Sequence, residues 1–416
     1  MPNERVVTGA PRVAHPERRL VSLLGPAFVA AVAYVDPGNV AANLTAGARF
    51  GYLLVWVLVA ANVIAVLVQY LSAKLGLVTG KSLPQLLGER LGRTGRLLFW
   101  AQAQLVAVAT DLAEVVGGAI ALRLLFGVPL LLGGLVVGAV SLALLLLQQR
   151  HGQRSFEFVV MGLLLVIALG FLAGLVAAPP DWRAAGGGLV PRFEGSETVL
   201  LAASMLGATV MPHAVYVHSA LARDRHGKAS SAVLPRLLRA TRVDVVVSLV
   251  VAGGVNIGML LLAATALSGR EGTDTIDGAH ALITQTLGPF VGAAFGLGLL
   301  ASGLASTSVG AYAGSSVMAG LLRIRIPLGL QRTITLVPAL VVIALGMEPT
   351  FALVLSQVVL SLGLPFALVP LVRLTSSRSL MGVHRSGPLL SGVAWVAVGL
   401  VAALNAALLW FTVAGT

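Results

Sequence analysis

Apolar runs of roughly 20 residues, the length that crosses the hydrocarbon core of a bilayer, recur from Leu20 to the C-terminus. Short polar stretches rich in Gly, Pro and basic residues separate them. The pattern predicts membrane-spanning helices near 20–46, 52–73, 98–122, 129–147, 156–178, 198–221, 243–267, 287–319, 333–346, 351–372 and 390–413. The longest connections, 179–197, 222–242 and 268–286, are too short to hold a folded soluble domain. The expectation is an all-α integral membrane protein with 11 transmembrane helices.

Two of the runs carry matching interruptions: Asp36-Pro37-Gly38-Asn39 in the first and Met211-Pro212-His213 in the sixth. Proline removes a backbone donor and clashes with the preceding turn, so each helix should unwind there. Asp-Pro-Gly-Asn also suits a turn, but a turn would leave span 1 too short on both sides. Five spans separate the breaks. Corresponding breaks in two halves point to a 5+5 inverted repeat with a site between the halves. The odd count turns them opposite ways in the bilayer, and span 11 is an addition outside the repeat. The expected division is a cytoplasmic tail (1–19), a first five-helix repeat (20–178), an extracellular loop (179–197), a second repeat (198–372), a cytoplasmic loop (373–389), and the eleventh helix with the C-terminus (390–416).

Composition agrees. Of 416 residues, 57% are hydrophobic and 11% charged, against about 25% charged in a soluble protein. The net charge of +12 could suggest nucleic acid, but the basic residues sit in short loops and read as orientation signals. With the N-terminus in the cytoplasm, 23 of the 28 Lys and Arg fall inside; only Arg49, Arg123, Arg183, Arg192 and Arg270 fall outside. A missed or extra helix would scramble that alternation. The C-terminus is then extracellular, in a multi-pass protein of the cell membrane. The first 19 residues are polar and Arg-bearing and run straight into a span, so no cleavable signal is expected. The absence of cysteine excludes disulfides, thiolate metal sites and iron–sulfur clusters.

Asp36 falls mid-membrane, where a carboxylate is expensive unless paired or bound to a cation. Asn39 shares its break, Met211 stands at the other, and unwinding would free the carbonyl of Ala208. Oxygen ligands alone suit calcium or magnesium; a thioether tilts preference toward manganese, iron, cobalt and cadmium. A lone intramembrane Met is usually core filler, and a Pro-Gly pair is often only a kink. The signal is the combination of two breaks, one carboxylate and one thioether. Asp111 and Glu114, at i, i+3, share a helix face. They read either as proton relays or as a pair neutralised by a neighbouring Arg or Lys. His213 and His218 are five apart, roughly 140° around a helix, and cannot both face one metal. His218 reads as a satisfied structural histidine; for His213 a proton-path and a structural role stay equally open.

These segments resemble the signatures of the Nramp family. Asp36-Pro37-Gly38-Asn39, the stretch Gly207-Ala208-Thr209-Val210-Met211-Pro212-His213 running on to His218-Ser219, Asp111-Leu112-Ala113-Glu114, and Ser356-Gln357 carry the likeness over nearly the whole chain. The resemblance implies a LeuT-like fold and proton-coupled transport of manganese and iron. It further implies that Asp36, Asn39, Met211 and the Ala208 carbonyl bind metal, with the Ala33 carbonyl and Gln357 joining on occlusion. A proton path from Asp36 past His213, Asp111 and Glu114, near a polar network including Arg332, follows from the same likeness. Two positions depart from the family pattern. Gln331-Arg332 stands where a basic pair is expected, and Gln104 where an acid is expected seven before Asp111. Both bear on the proton route and leave the metal ligands intact. Asn39 and Met211 speak against a magnesium-selecting relative that lacks them.

The reading is a secondary active transporter, not an enzyme, importing Mn²⁺ or Fe²⁺, and also Cd²⁺ or Co²⁺, with protons by alternating access. No Gly-rich phosphate loop ending in Lys-Ser/Thr is present, which disfavours nucleotide-driven transport by this chain alone. No cofactor is expected beyond the transported ions. The partners are divalent metal ions, protons and the lipid bilayer; neither nucleic acid nor an obligatory protein partner is implied. One rival is an organic-solute transporter of the same fold, whose substrate carboxylate Asp36 would repel unless an amine or sodium covered it. A haem-bearing redox subunit is the other, and the divergence of His213 and His218 disfavours it.

Overall fold

Proline at helix starts and glycine at helix ends punctuate the chain. The computed structural model describes residues 25–151, 153–227, 229–324 and 327–414; the tail 1–19 and the first residues of span 1 lie outside them. Helix α1 (Pro26–Val32) tightens into a 3₁₀ turn (Ala33–Val35), passes the extended Asp36 and restarts as α2 (Pro37–Phe50). The chain continues through α3 (Val55–Thr79), α4 (Leu83–Arg90), α5 (Arg93–Phe126), α6 (Leu130–His151) and α7 (Gln153–Ala177). After the short α8 (Trp182–Gly187) comes the second broken helix, α9 (Ser196–Thr209) and α10 (Pro212–His226). Then follow α11 (Leu234–Ala266), α12 (Ile276–Leu287), α13 (Pro289–Leu321), α14 (Leu328–Ala344), α15 (Pro349–Ser376), the short α16 (Arg378–Met381) and α17 (Pro388–Ala414).

Eight helical segments are long and apolar enough to cross a membrane, and shorter apolar helices cover 26–35, 130–144 and 329–344. Together they occupy all the positions that hydropathy predicted. The helices outrun the apolar runs at their ends. Lys74, read as a loop residue, is buried inside α3, and α11 begins at Leu234 rather than near 243. Hydropathy falls where a helix enters the headgroup layer, while its backbone hydrogen bonds continue.

From α1 to α7 and from α9 to α15 the order of elements repeats: a broken helix, a long helix, a short one, then three more. The packing repeats too. Helix α1 lies on α7 as α9 lies on α15, while α2 packs on α11 and α10 on α3, each across to the other half. The broken helices are therefore central. Of the apolar window over α9 and α10, 94% is buried, against 33% for α17 on the rim. Leu98, Val63, Leu169, Val250 and Trp410 are among the outward-facing apolar side chains that a bilayer would cover.

Candidate functional site

Both breaks are built the same way. Asp36 (φ −81°, ψ 168°) and Met211 (φ −80°, ψ 129°) are extended, and each is followed by a proline that starts the next helix. Pro37 deletes the N–H that a continuing helix would aim at the Ala33 carbonyl, and Pro212 deletes the one for Ala208. Nearby carbonyls are taken up by other helices. Asn256 donates to Tyr34 O at 2.6 Å and Ser302 to Val35 O at 2.6 Å. The ends of α1 and α9 bring carbonyls and their negative dipole ends to the centre, which suits a cation.

Asp36 caps α2. Its Oδ1 accepts from Asn39 N at 2.7 Å and from Asn39 Nδ2 at 2.8 Å. The same Nδ2 donates to Ala208 O at 2.9 Å, joining the two breaks directly. Thr209 Oγ1 lies 3.4 Å from Asn39 Oδ1. Gln357, on α15, rests on both breaks. A β-carbon on Gly38 would fall 1.7 Å from Gln357 Nε2, and one on Gly207 would fall 2.3 Å from Gln357 O. At Gly207 no side chain fits against that backbone, and at Gly38 a side chain would displace the Gln357 amide. Asp36, Asn39, Met211 and Gln357 are fully buried, yet Asp36 Oδ2 and Gln357 Oε1 have no hydrogen-bond partner. Unsatisfied buried oxygens of this kind are costly, and a cation would relieve both. Among the described residues no group of three or more His, Asp and Glu could hold a metal. A cation here would instead meet one carboxylate, neutral oxygens and the Met211 thioether.

The other acidic candidates separate. Asp111 forms a buried ion pair with Arg332 Nη1 at 2.6 Å. Glu114 is completely buried with neither oxygen partnered, and Arg332 Nε and Nη2 are also unpartnered. His213 Nδ1 lies 3.2 Å from Thr110 Oγ1, while its Nε2 is unbonded. A small cavity lined by Thr110, Asp111, His213, Gln331 and Arg332 lies among α5, α10, α13 and α14. The structure thus brings three of the suggested proton-path residues, Asp111, His213 and Arg332, to one space, with Gln331 beside them. His218 belongs elsewhere: its Nδ1 is 2.8 Å from Gln69 Oε1, and Gln69 Nε2 donates to Tyr34 OH at 2.5 Å. Sequence reasoning missed Asn256, Gln69 and Thr209. The available signal was a polar side chain within an apolar run.

Polar ties close both ends. Arg49 at the end of α2 pairs with Glu197 at the start of α9, and Arg123 pairs with Asp277 at 2.5 Å. At the opposite end Arg225 pairs with Glu157. There Asp244 accepts from Gly25 N (3.2 and 3.1 Å) and Ala27 N (3.1 Å), capping α1.

Residues 27–411 match the family of natural resistance-associated macrophage protein-like (Nramp) proteins. The divalent metal cation transporter MntH of Mycobacterium tuberculosis is 58% identical over 394 residues, covering 94% of this chain and 92% of the relative. A manganese transporter of Eremococcus coleocola superposes with a TM-score of 0.86 at 30% identity, over 96% of this chain and 89% of that one. MHP1, a nucleobase-cation-symport-1 family transporter, reaches a TM-score of 0.60 at 17% identity over 93% and 91% of the two chains, and shares the fold.

Proposed function

The chain belongs to the Nramp family of membrane transporters, and on that premise we propose that it imports divalent transition metals, Mn²⁺ and Fe²⁺ first, together with protons. The observation that carries the reading is the convergence of both helix breaks on one buried point. There Asp36 Oδ2 and Gln357 Oε1 accept no hydrogen bond, Asn39 ties Asp36 to the Ala208 carbonyl, and the buried Met211 stands in the same break as Ala208.

Metal is the cargo. Asp36 supplies the charge; Asn39, after its amide turns its oxygen inward, Gln357 and the Ala208 and Ala33 carbonyls supply neutral oxygens; Met211 supplies sulfur. One carboxylate neutralises half of a divalent charge, which favours release as well as binding. The thioether discriminates against Ca²⁺ and Mg²⁺, which take oxygen ligands. A proton displaced from Asp36 passes toward His213 and the cavity beside Asp111 and Arg332, with Glu114 as a second carrier.

Alternating access fits the ties at the two ends. The Arg49–Glu197 pair is roughly two-fifths exposed, and such exposed pairs contribute only about 0–1 kcal/mol, so opening that end costs little. The Asp244 cap on α1 marks the opposite end, where the half-helix would swing. The distribution of basic residues supports reading this second end as the cytoplasmic one.

The deciding experiment loads reconstituted vesicles with a pH dye and presents a panel of metals outside. Saturable Mn²⁺ uptake accompanied by internal acidification is expected. Uptake without acidification removes the proton coupling, and no saturable uptake removes the transport reading.

A further inference from the structure

A third proline repeats the chemistry of the two breaks. Pro365 lies inside α15, where it deletes the N–H that the helix would direct at the Ser361 carbonyl. Ser361 is fully buried. Its carbonyl is nevertheless satisfied, from the eleventh span: Asn405 Nδ2 donates to Ser361 O at 2.7 Å, and Ser361 Oγ donates to Asn405 Oδ1 at 2.6 Å. Asn405 is 5% exposed and interrupts an otherwise apolar buried stripe of α17 that includes Ala394, Ala397, Val398 and Val401. An amide in that setting is costly unless it is bonded at both ends. Here each of its polar atoms finds a partner within one turn of α15.

That turn is the one that carries Gln357. Ser361 is four residues on, and the backbone between them seats α9: a β-carbon on Gly207 would meet Gln357 O at 2.3 Å and Ser361 N at 2.7 Å. At its other side the Gln357 amide lies against Gly38. The contact with Gly207 is backbone to glycine, with no flexible side chain to absorb a shift, while the contact with Gly38 is made by the Gln357 side chain that this turn carries. Movement of this turn therefore moves Gln357 and the Ala208 segment together.

We propose that Asn405 is a positioning residue for the metal site. It replaces the donor that Pro365 removes and so holds the Gln357–Ser361 turn against both helix breaks. The eleventh span, which lies outside the inverted repeat, thereby acts on the site without touching it. The proposal rests on reading that site as the metal site.

The test is a cycle of Asn405→Leu, Pro365→Ala and the double variant, read by Mn²⁺ calorimetry, by KM and kcat of Mn²⁺ uptake, and by thermal unfolding in detergent. Leucine keeps the branched shape and heavy-atom count, is somewhat bulkier, and removes both hydrogen bonds. Alanine at 365 restores an N–H to the Ser361 carbonyl from within the helix. Asn405→Leu should raise the Mn²⁺ Kd and KM about tenfold, the size expected when a buried carbonyl loses its donor, and lower the unfolding temperature. The double variant should return to within about threefold of Pro365→Ala, because the two sites are coupled. Wild-type affinity in Asn405→Leu overturns the proposal. So does a double variant as impaired as the single one, which would make the contact packing alone. If Asn405→Leu does not fold, recovery of folded protein by the double variant supports the brace, and its KM tests the positioning. If the wild type binds no metal, the reading of the site fails instead. Additive unfolding shifts would then still overturn the brace.

Discussion

Asn39 Nδ2 donates to the Ala208 carbonyl at 2.9 Å, across 169 positions of sequence, while donating to Asp36 Oδ1 at 2.8 Å. One amide nitrogen bridges the two helix breaks where a cation would otherwise draw their oxygens together. Asp36 is the only acidic side chain in either break. Asp36→Asn keeps the shape and the cap on Asn39 but removes the charge. Saturable Mn²⁺ uptake should vanish in vesicles while the protein remains folded; near wild-type transport would refute the assignment.

Met211 should govern selectivity more than transport. Met211→Ala leaves room for water, which restores the coordination that Ca²⁺ and Mg²⁺ prefer. Mn²⁺ uptake should persist, Cd²⁺ affinity should fall most, and Ca²⁺ should begin to compete. Titrating Ca²⁺ into Mn²⁺ and Cd²⁺ uptake distinguishes this from simple packing, for which all metals weaken together.

Gly38 is required by Gln357 rather than by its own backbone. In Gly38→Ala the new β-carbon would fall 1.7 Å from Gln357 Nε2, so the amide must swing away. The helices on either side need not separate, since a side-chain tip can move. Calorimetry should show Mn²⁺ affinity reduced by about tenfold, the loss of one ligand-strength hydrogen-bonding group, with little change in unfolding temperature.

Asp111 and Glu114 should respond differently to neutralisation. Asp111→Asn leaves Arg332 as an uncompensated buried cation, which costs about 3–5 kcal/mol. A large drop in unfolding temperature should accompany a flattened pH dependence of uptake. Neither Glu114 oxygen accepts a hydrogen bond, so Glu114→Gln should cost less stability than Asp111→Asn and lose the pH dependence. Mn²⁺ affinity should stay within a few-fold in both variants. Loss of metal binding with intact proton coupling would reverse the roles.

The orientation can be read by labelling, since the chain has no cysteine. Ala185, an obvious choice in the loop after span 5, is buried; Ala184 beside it is exposed, as is Ser230 in the loop after span 6. An impermeant thiol reagent on intact cells should modify Ala184→Cys and leave Ser230→Cys unmodified. The opposite pattern inverts the topology.

The sequence by itself determined where the spans lie, where two of them break, and which carboxylate stands at the centre. Those features are local: an apolar run must be buried along its own length, and a proline cancels a hydrogen bond only four residues away. Asp36, Asn39, Ala208 and Met211 could therefore be named together from two short segments. Tertiary structure decided what depends on segments far apart. Nothing near Asp111 and Glu114 says that Arg332, 221 positions after Asp111, pairs with the first and leaves the second without a partner. Nor does the apolar run of α17 say that Asn405 meets Ser361 44 positions earlier. The proline that frees that carbonyl is visible in the sequence, but its replacement donor comes from another helix, and only packing brings the two within hydrogen-bonding distance.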